Sequence, residues 1–390
     1  MSDIKTITAL SSLHDATLAS EQIHQQLNHT EIGFILFYCS SAYSLPLLSQ
    51  SLQQLFGHIK VVGCTTAGEV SSCGNLEHSI VAIGFSSHYF SISAELVESM
   101  ADFDLLKAQQ TINRLNEQCV SRQLIRPKKR SFLLTLLDGL SFEEEHFLAA
   151  LNSAATGIPH FGGSAGGDDD LEMNHINEIS NTYVYFDGHF LQQAAVVIMV
   201  SSCFSFEVFS CDHINKPKEK LVVTDVDAHN RTVYELNAEP AALEYARLLN
   251  LDIEDLCPTV FALNPLAVKV GGHYYIRAIQ KVNQVDLSLT FYCAVDIGIV
   301  LTAVEMGDIL KPLTDKLEDI SARYGKPQLV IACDCVLRRL EIEHKHLNNS
   351  VKNINNDYQI AGFNTYGEHI NGIHLNQTFT GVYIADDINE

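Results

Sequence analysis

The amino-acid sequence predicts an α/β protein of two domains, each built on a mixed β-sheet covered by helices. The chain has 390 residues, a length typical of two or three domains. Hydrophobic residues make up 46% of it and charged residues 18%, the balance of a chain with large buried cores. Strand-like and helix-like segments alternate through the first half, and consecutive strands follow from about residue 180.

The first half alternates short apolar runs with segments whose apolar residues recur at helical spacing. Because strands and helices alternate there, we expect a largely parallel sheet covered on both faces. No clean internal repeat is visible. The predicted strands are Gly33–Tyr38, Lys60–Cys64, Ser79–Phe85, Tyr89–Leu96 and Ser131–Leu137, and the predicted helices are Ser44–Phe56, Leu105–Val120 and Ser141–Ala155.

The second half is dominated by strand patterns, and a change near residues 225–240 predicts a domain boundary. We therefore expect domains at 30–228 and 229–385. Helices are predicted at Pro240–Leu249 and Met306–Tyr324, and a polar stretch follows the strand at Gln328–Asp334 and runs through Asn356. The predicted strands are Thr182–Phe186, Ala194–Ser201, Phe204–Ser210, Leu221–Asp225, Thr232–Leu236, His273–Ile279, Leu287–Val295, Ile299–Ala303, Gln328–Asp334, Gln359–Asn364 and Thr378–Ile384.

The charge balance argues against two classes of partner. Lys and Arg total 25 against 47 Asp and Glu, so the formal net charge is −22. Such a field repels phosphate backbones and anionic membranes, and the densest basic run, Arg126–Arg130, is interpreted as a solvated loop. We expect neither nucleic-acid nor membrane binding.

Location is predicted from the termini and the cysteines. The N-terminal segment has no apolar block typical of a signal peptide, and the longest apolar run, Ala194–Val200, is too short to cross a bilayer. The ten cysteines include no C-x-x-C pair, which favours reduced thiols. The sequence predicts a cytoplasmic protein.

Residues 162–166 fit the G-x-S-x-G pattern of a hydrolase nucleophile elbow, with Ser164 as the nucleophile. The elbow needs a strong strand before it and a helix after it. The preceding strand, Ile158–Phe161, is short, and the following Gly167–Asp170 begins a helix poorly. A tight glycine turn is the favoured interpretation, and serine hydrolysis is kept as an alternative.

Polar residues cluster at strand ends in the second half. Arginines, a carboxylate, an imidazole and an amide converging there would form a small-ligand pocket, and a buried ion-pair network fits the pattern equally well. Cys333 and Cys335 flank Asp334 at one strand end, where buried structural thiols are favoured over a metal or redox site. The candidate ligand-binding residues are Arg277, Asp334, Cys335, Arg338, Glu368, His374 and Asn376.

Several motifs together resemble the FIST family, whose members carry N-terminal and C-terminal FIST domains. The N-terminal resemblance lies in Val62–Glu69, Asp138–Ser141 and Gly162–Gly166. The C-terminal resemblance lies in Tyr275–Gln280, Asp334–Glu341, Gly362–Glu368 and His374–Gly381. The matched region covers residues 30–385. The resemblance implies a non-enzymatic bacterial sensory protein that binds a small ligand and regulates a separate partner.

The segment from His213 to Thr224, together with the Asp-Cys-x-x-Arg-Arg and His-x-Asn-Gln-Thr patterns, resembles the branch described as haem-binding nitric oxide sensors. That resemblance implies haem b as cofactor, with His213 or His374 as its axial ligand and Cys335 ranked lower. It also implies a histidine kinase, diguanylate cyclase or phosphodiesterase as partner. Arg277 or Arg338 would pair with haem propionates or, in the alternative of a metal-free receptor, with the carboxylate of an amino acid.

Overall fold

The α/β class is confirmed by a computed structural model that describes residues 4–120, 130–168 and 181–386. Most of the basic run at 126–130 and Asp169–Asp170 lie outside the described residues. The helices are α1 (Ala16–Leu27), α2 (Leu45–Phe56), α3 (Leu105–Val120), α4 (Glu144–Ala154), α5 (Ala241–Leu249), α6 (Pro258–Leu263), α7 (Lys311–Tyr324), α8 (Val336–His344) and α9 (Asn348–Asp357).

The strands of the first half are β1 (Thr6–Ser11), β2 (Ile32–Ser40), β3 (Lys60–Thr66), β4 (Glu69–Ser71), β5 (Gly74–Leu76), β6 (Ile80–Ser86), β7 (Phe90–Val97), β8 (Arg130–Leu137), β9 (His160–Ser164), β10 (Val184–Phe186), β11 (His189–Leu191), β12 (Ala195–Ser202) and β13 (Phe206–Cys211). Each strand predicted in the first half lies within a few residues of an observed one, whereas the sequence does not predict β1, β4, β5 and β11.

The strands of the second half are shorter and more numerous. They are β14 (Ile214–Asp227), β15 (Thr232–Leu236), β16 (Glu239–Pro240), β17 (Leu266–Val270), β18 (His273–Arg277), β19 (Ile279–Asn283), β20 (Ser288–Phe291), β21 (Val300–Met306), β22 (Pro327–Cys335), β23 (Ile360–Thr365), β24 (Glu368–Ile370), β25 (Ile373–Leu375) and β26 (Phe379–Ala385).

Three six-stranded sheets share one topology. Sheet 1 has the order β1-β6-β2-β3-β10-β11, sheet 2 the order β7-β12-β8-β9-β24-β25, and sheet 3 the order β13-β26-β22-β23-β4-β5. In each, one parallel pair joined through helices lies at the centre (β2/β3, β8/β9 and β22/β23), and the other neighbours are antiparallel. The chain therefore contains three equivalent β/α units that the sequence did not reveal as a repeat.

The three units exchange hairpins in a cycle. The hairpin that follows β3 (β4–β5) pairs with β23 in sheet 3, and the hairpin that follows β23 (β24–β25) pairs with β9 in sheet 2. The hairpin that follows β9 (β10–β11) pairs with β3 in sheet 1. We call these unit 1 (β1–β6), unit 2 (β7–β12) and unit 3 (β13 and β22–β26). Each unit thus completes the sheet of another.

A fourth sheet is inserted into unit 3. It comprises β14–β21 in the order β18-β17-β21-β14-β15-β20-β19, with β16 paired to β15, and α5 packs on it. The predicted boundary at 228/229 falls in the exposed turn between β14 and β15, within this inserted sheet. Strands from both sides of that position also share sheets 2 and 3.

The inner faces of the first three sheets meet in one core, and their outer faces carry the helices. In β2, Phe34, Leu36 and Tyr38 face this central core, whereas Ile35 and Phe37 face α1 and α2. This alternation follows from the two-residue period of a strand. Sheet 2 is covered in the same way by α3 and α4, and sheet 3 by α7.

Three sequence predictions differ from the structure. The predicted largely parallel sheet is wrong, because the described sheets have one parallel pair each or none. The helix predicted from Met306 begins at Lys311, since Met306 ends β21. The polar stretch through Asn356 contains α8 and α9. α8 buries six of its nine residues, but three of these are the charged Arg338, Arg339 and Glu341, so the helix lacks a continuous apolar stripe.

Among the described helices, none combines the length and apolar character that crossing a bilayer requires.

The exchanged hairpins predict that the fragment 1–228 does not fold alone. Without unit 3, β9 loses β24, β13 loses β26, and the β4–β5 hairpin loses β23. We expect no cooperative thermal transition by circular dichroism. Co-expression with 229–390 should restore one, because the cut lies in an exposed turn. A cooperative transition in the isolated fragment would instead establish residues 1–228 as an independent domain.

Candidate functional site

The second parallel strand of each unit ends in a short polar motif, and the three motifs meet at the centre of the molecule. They are Thr66-Ala67-Gly68 after β3, Ser164-Ala165-Gly166 at the end of β9, and Thr365-Tyr366-Gly367 at the end of β23. Backbone hydrogen bonds join them in a ring. Ala67 N donates to Asn364 O (3.1 Å), Gly166 N to Thr65 O (3.1 Å), and Ser164 N to Gly367 O (2.8 Å). We call this arrangement the motif ring.

Close packing explains the glycines of the motif ring. Gly68 has φ +130°, which L side chains rarely adopt, and a Cβ there would collide with the Arg339 guanidinium. A Cβ on Gly166 would lie 2.7 Å from Ala67 N. The glycines of the G-x-S-x-G pattern are thus explained by the close approach of two chain segments, whereas residues 160–164 form β9 and not the predicted tight turn.

Ser164 lies in a different setting from a nucleophile elbow. It is the last residue of β9, 1% exposed, and its Oγ has no hydrogen-bond partner among the described residues. A serine nucleophile needs a base within hydrogen-bond reach. The described part of the chain places neither a histidine nor a carboxylate there.

Two buried glutamates occupy equivalent places in units 1 and 3. Glu69 accepts hydrogen bonds from Thr66 Oγ1 (2.5 Å) and Ser79 Oγ (2.6 Å). Glu368 accepts from Thr365, and from the backbone N (3.1 Å) and Oγ1 (2.9 Å) of Thr378. Burial raises the pKa of each to about 8, although these hydrogen bonds act in the opposite direction. Both carboxyls are therefore protonated in the folded protein at neutral pH.

The predicted residues Asp334, Arg338 and His213 form a buried polar network. Arg338 Nε donates to Asp334 Oδ1 at 2.6 Å, and the Arg338 guanidinium lies 3.2 Å from His213 Nδ1. His213 Nε2 lies 2.8 Å from Glu341 Oε2. Burial lowers the pKa of His213. The two ring nitrogens of His213 thus both have hydrogen-bond partners within the protein, Arg338 at Nδ1 and Glu341 at Nε2.

Cys335 caps the start of α8 beside this network. It is 1% exposed, and burial raises its pKa well above the ordinary value of a thiol. Cys333 faces the central core and its pKa is raised in the same way. Both side chains are thus buried protonated thiols in the folded chain.

The remaining predicted residues lie around the β24–β25 hairpin. Asn376 is buried, accepts from Ala278 N (3.1 Å) and donates to Tyr366 O (3.1 Å), so it ties the inserted sheet to unit 3. His374 is 4% exposed and its Nδ1 lies 3.0 Å from Glu145 Oε1. Arg277 ends β18, hydrogen-bonds to Ile276 O and forms no ion pair with the described carboxylates.

A cavity of about 150 Å³ lies next to these residues, between the inserted sheet and the β24–β25 hairpin. Its walls come from β13, β14, β18 and the hairpin, so it opens at the boundary of the inserted sheet. Its lining combines apolar, aromatic and polar side chains, namely Ser210, Asp212, Ile214, Tyr274, Tyr275, Ile276, Ile370, Ile373, Leu375, Asn376 and Thr378.

Haem does not fit the described residues as they stand. An apolar cavity of about 150 Å³ holds a molecule the size of benzene, which is far smaller than a porphyrin. Neither His213 nor His374 lines the cavity. His213 is hydrogen-bonded at both nitrogens, and the Gly367 backbone lies against His374 Nε2, where a Cβ would overlap it.

Sequence reasoning missed a further cluster beside His374. Arg231, 2% exposed, donates from one guanidinium nitrogen to Glu144 (2.6 Å) and Glu145 (2.6 Å) at the start of α4. Cys293 lies next to His374 and Glu145. These residues come from distant segments with no shared motif, so only the fold brings them together.

Comparison with known families agrees with this architecture. The FIST N domain model matches residues 33–239, more than half of the chain. The chain belongs to the FIST family. The FIST C domain model matches residues 241–371, and the two matches meet inside the inserted sheet. Searches of curated proteins and of solved structures gave no match.

FIST domains are sensory modules of signal transduction that bind small ligands, rather than catalytic domains. In this FIST protein, the family motifs quoted from the sequence lie on the motif ring and on the strands around it. The family motifs of the second half also border the cavity, through Tyr275–Ile276 and Leu375–Asn376.

The raised pKa values of Glu69 and Glu368 predict a stability that falls with increasing pH. A carboxyl with a pKa near 8 in the folded state and about 4.3 unfolded holds its proton more tightly when folded. Its contribution is complete below pH 4 and is lost as the pH approaches 8. Each carboxyl should lower the free energy of unfolding by about 1.4 kcal/mol per pH unit between those limits.

Urea unfolding at pH 5.5, 6.5 and 7.5 measures this dependence. Glu69→Gln and Glu368→Gln should each flatten the slope relative to the parent protein, while the exposed Glu254→Gln should leave it unchanged. Equal slopes in all four proteins would show that the two buried carboxyls are ionised in the fold.

Arg231→Gln should destabilise the protein strongly, because it removes the buried guanidinium that pairs with both Glu144 and Glu145. The expected loss is about 3–5 kcal/mol in the free energy of unfolding. The matched control is Arg114→Gln, which breaks an ion pair with Glu95 at a side chain 53% exposed and should cost less than about 1 kcal/mol. Similar losses in the two variants would contradict a buried role for Arg231.

Proposed function

We propose that this FIST protein is a sensor whose ligand is an amino acid or a similar small polar molecule, bound in the cavity between the inserted sheet and the β24–β25 hairpin. The size of the cavity is the observation that carries the proposal. A volume of about 150 Å³ suits a molecule of amino-acid size, and the site requires no metal.

The charges around the cavity support a zwitterionic ligand. Asp212 lies in the lining and forms no ion pair with the described cations, so its carboxylate can accept an ammonium group. Arg277 directly follows the lining residue Ile276 and is likewise without a described ion-pair partner. A guanidinium binds a carboxylate through paired hydrogen bonds. Ile214, Tyr274 and the other apolar walls would take the side chain of the ligand.

The position of the cavity supports a signalling role. Its two sides belong to the inserted sheet and to the hairpin that unit 3 contributes to sheet 2. A ligand that contacts both sides favours one arrangement of the inserted sheet over others, which is how differential binding shifts a conformational equilibrium. The sensor would act on a separate partner, for which a histidine kinase or a cyclic-di-GMP enzyme is proposed from the resemblance.

Haem b with nitric oxide is the competing ligand from the resemblance. It would need the hydrogen bonds of His213, or the packing of His374 on Gly367, to be replaced on binding. A saturable one-to-one Soret band that shifts with nitric oxide would favour haem over the amino-acid proposal.

A thermal-shift screen of the twenty amino acids with the full chain tests the proposal. We expect one chemical group of them to raise the melting temperature, with a dissociation constant then measured by calorimetry. Asp212→Asn and Arg277→Gln should each weaken binding about tenfold or more, since each removes a charge-assisted contact. Asp296→Asn is the control, because Asp296 also accepts a local backbone hydrogen bond but lies outside the cavity.

No stabilisation by any amino acid, or unchanged affinity in both cavity variants, would overturn the proposed ligand. A ligand that passes this test would then be added to a kinase reconstituted with the chain. A change in autophosphorylation only in the presence of both is the expected response.

A further inference from the structure

Three potential metal ligands from separate segments meet behind the cavity. Glu145 lies in the first turn of α4, Cys293 follows β20, and His374 is the central residue of β25. A carboxylate oxygen, the thiol sulfur and a ring nitrogen all lie within 4.8 Å of one another. Cys293 is fully buried and His374 is 4% exposed. The cluster therefore joins unit 2, the inserted sheet and unit 3.

One of the two ring nitrogens of His374 has no hydrogen-bond partner among the described residues. Its Nδ1 is held by Glu145 Oε1 at 3.0 Å, whereas its buried Nε2 makes no hydrogen bond to a described oxygen or nitrogen. Buried imidazole nitrogens normally have a partner. Residue 367 is a glycine, and a Cβ there would occupy the space beside Nε2. The Gly367 backbone packs closely on that nitrogen, so an ion that binds Nε2 would displace this contact.

The surrounding bonds hold the donors in place. Glu145 Oε1 also accepts from Ala294 N at 2.8 Å, so the same oxygen fixes the imidazole and the backbone next to Cys293. Arg231 binds the other oxygen of Glu145 and is balanced by Glu144. Such supporting contacts orient ligands in known metal sites. The cluster is therefore arranged before any ion arrives.

The donor set selects the kind of ion. Thiolate, imidazole and carboxylate together are the ligands of Zn²⁺, which is borderline-soft and tetrahedral, and they suit Mg²⁺ or Ca²⁺ poorly. A thiolate and a carboxylate supply two negative charges against a divalent cation. Bond lengths near 2.1 Å to nitrogen and 2.3 Å to sulfur would bring the donor atoms to about 3.5 Å apart, a small contraction of the cluster.

We propose that Glu145, Cys293 and His374 bind one divalent ion of the zinc class, with a water in the fourth position. The site is separate from the proposed ligand cavity. His374 lies on one face of β25, whereas its neighbours Ile373 and Leu375 face the cavity. The ion would fasten α4 and the inserted sheet to the back of the cavity wall.

Cobalt titration of the chelator-treated full chain tests the site, because tetrahedral Co²⁺ reports sulfur ligation by a near-ultraviolet thiolate band. One equivalent should saturate the band, and Zn²⁺ should abolish it by displacement. Cys293→Ala should remove the band, and His374→Ala should weaken zinc binding at least about tenfold. The controls are Cys203→Ala and His160→Gln, which change another buried cysteine and another buried histidine.

Absence of a thiolate band in the parent protein would overturn the proposal, as would equal zinc affinity in the parent and Cys293→Ala. The parent spectrum needs no variant, so the test stands even if a substitution prevents folding. Since amino-acid binding is measured by calorimetry on the metal-free chain, failure of this site and failure of the ligand proposal are distinguishable.

Discussion

The ring of backbone hydrogen bonds at the centre of the molecule is the constraint on which the other features depend. Ala67 of unit 1 donates to unit 3, Gly166 of unit 2 donates to unit 1, and Ser164 of unit 2 donates to unit 3. Each unit also sends its next hairpin into a neighbouring sheet. A buried backbone donor that loses its partner costs free energy comparable to a hydrogen bond. The backbone segments that carry the exchanged hairpins approach each other closely at the motif ring. The motif glycines allow this approach, because a Cβ at Gly68 or Gly166 would collide with the neighbouring segment.

The elements of the first half could be predicted because their periodicity is local. The apolar alternation of β2 and the leucine spacing of α2 each belong to a single segment, and both match the structure. The threefold repeat could not be predicted in this way. The strand neighbours that define it lie in different units, and the shared Thr-x-Gly and Ser-x-Gly strand ends are too short to signal a repeat. The threefold repeat can be recognised only from the pairing of the strands in the three sheets.

The candidate site shows the same division. Sequence motifs led to Asn376, Arg277 and the residues beside the cavity, because family motifs and strand ends are visible in one chain. They did not lead to Arg231 or Cys293, which lie in loops without a motif and act through contacts with α4. The residues that pair with a buried charge, such as Glu144 and Glu145 with Arg231, lie far away in the sequence and produce no periodic pattern there. Asp212 was missed for a similar reason, as an exposed acid is chemically informative only beside a cavity.

The exchange of hairpins also has a consequence for synthesis on the ribosome. β4 emerges early but pairs with β23, and β13 has its partner only when β26 has been translated. Until then, the nascent chain carries open strand edges, which are sites of intermolecular pairing. This protein should therefore complete folding after release rather than unit by unit, and in the interval it would depend on chaperones that cover exposed edges.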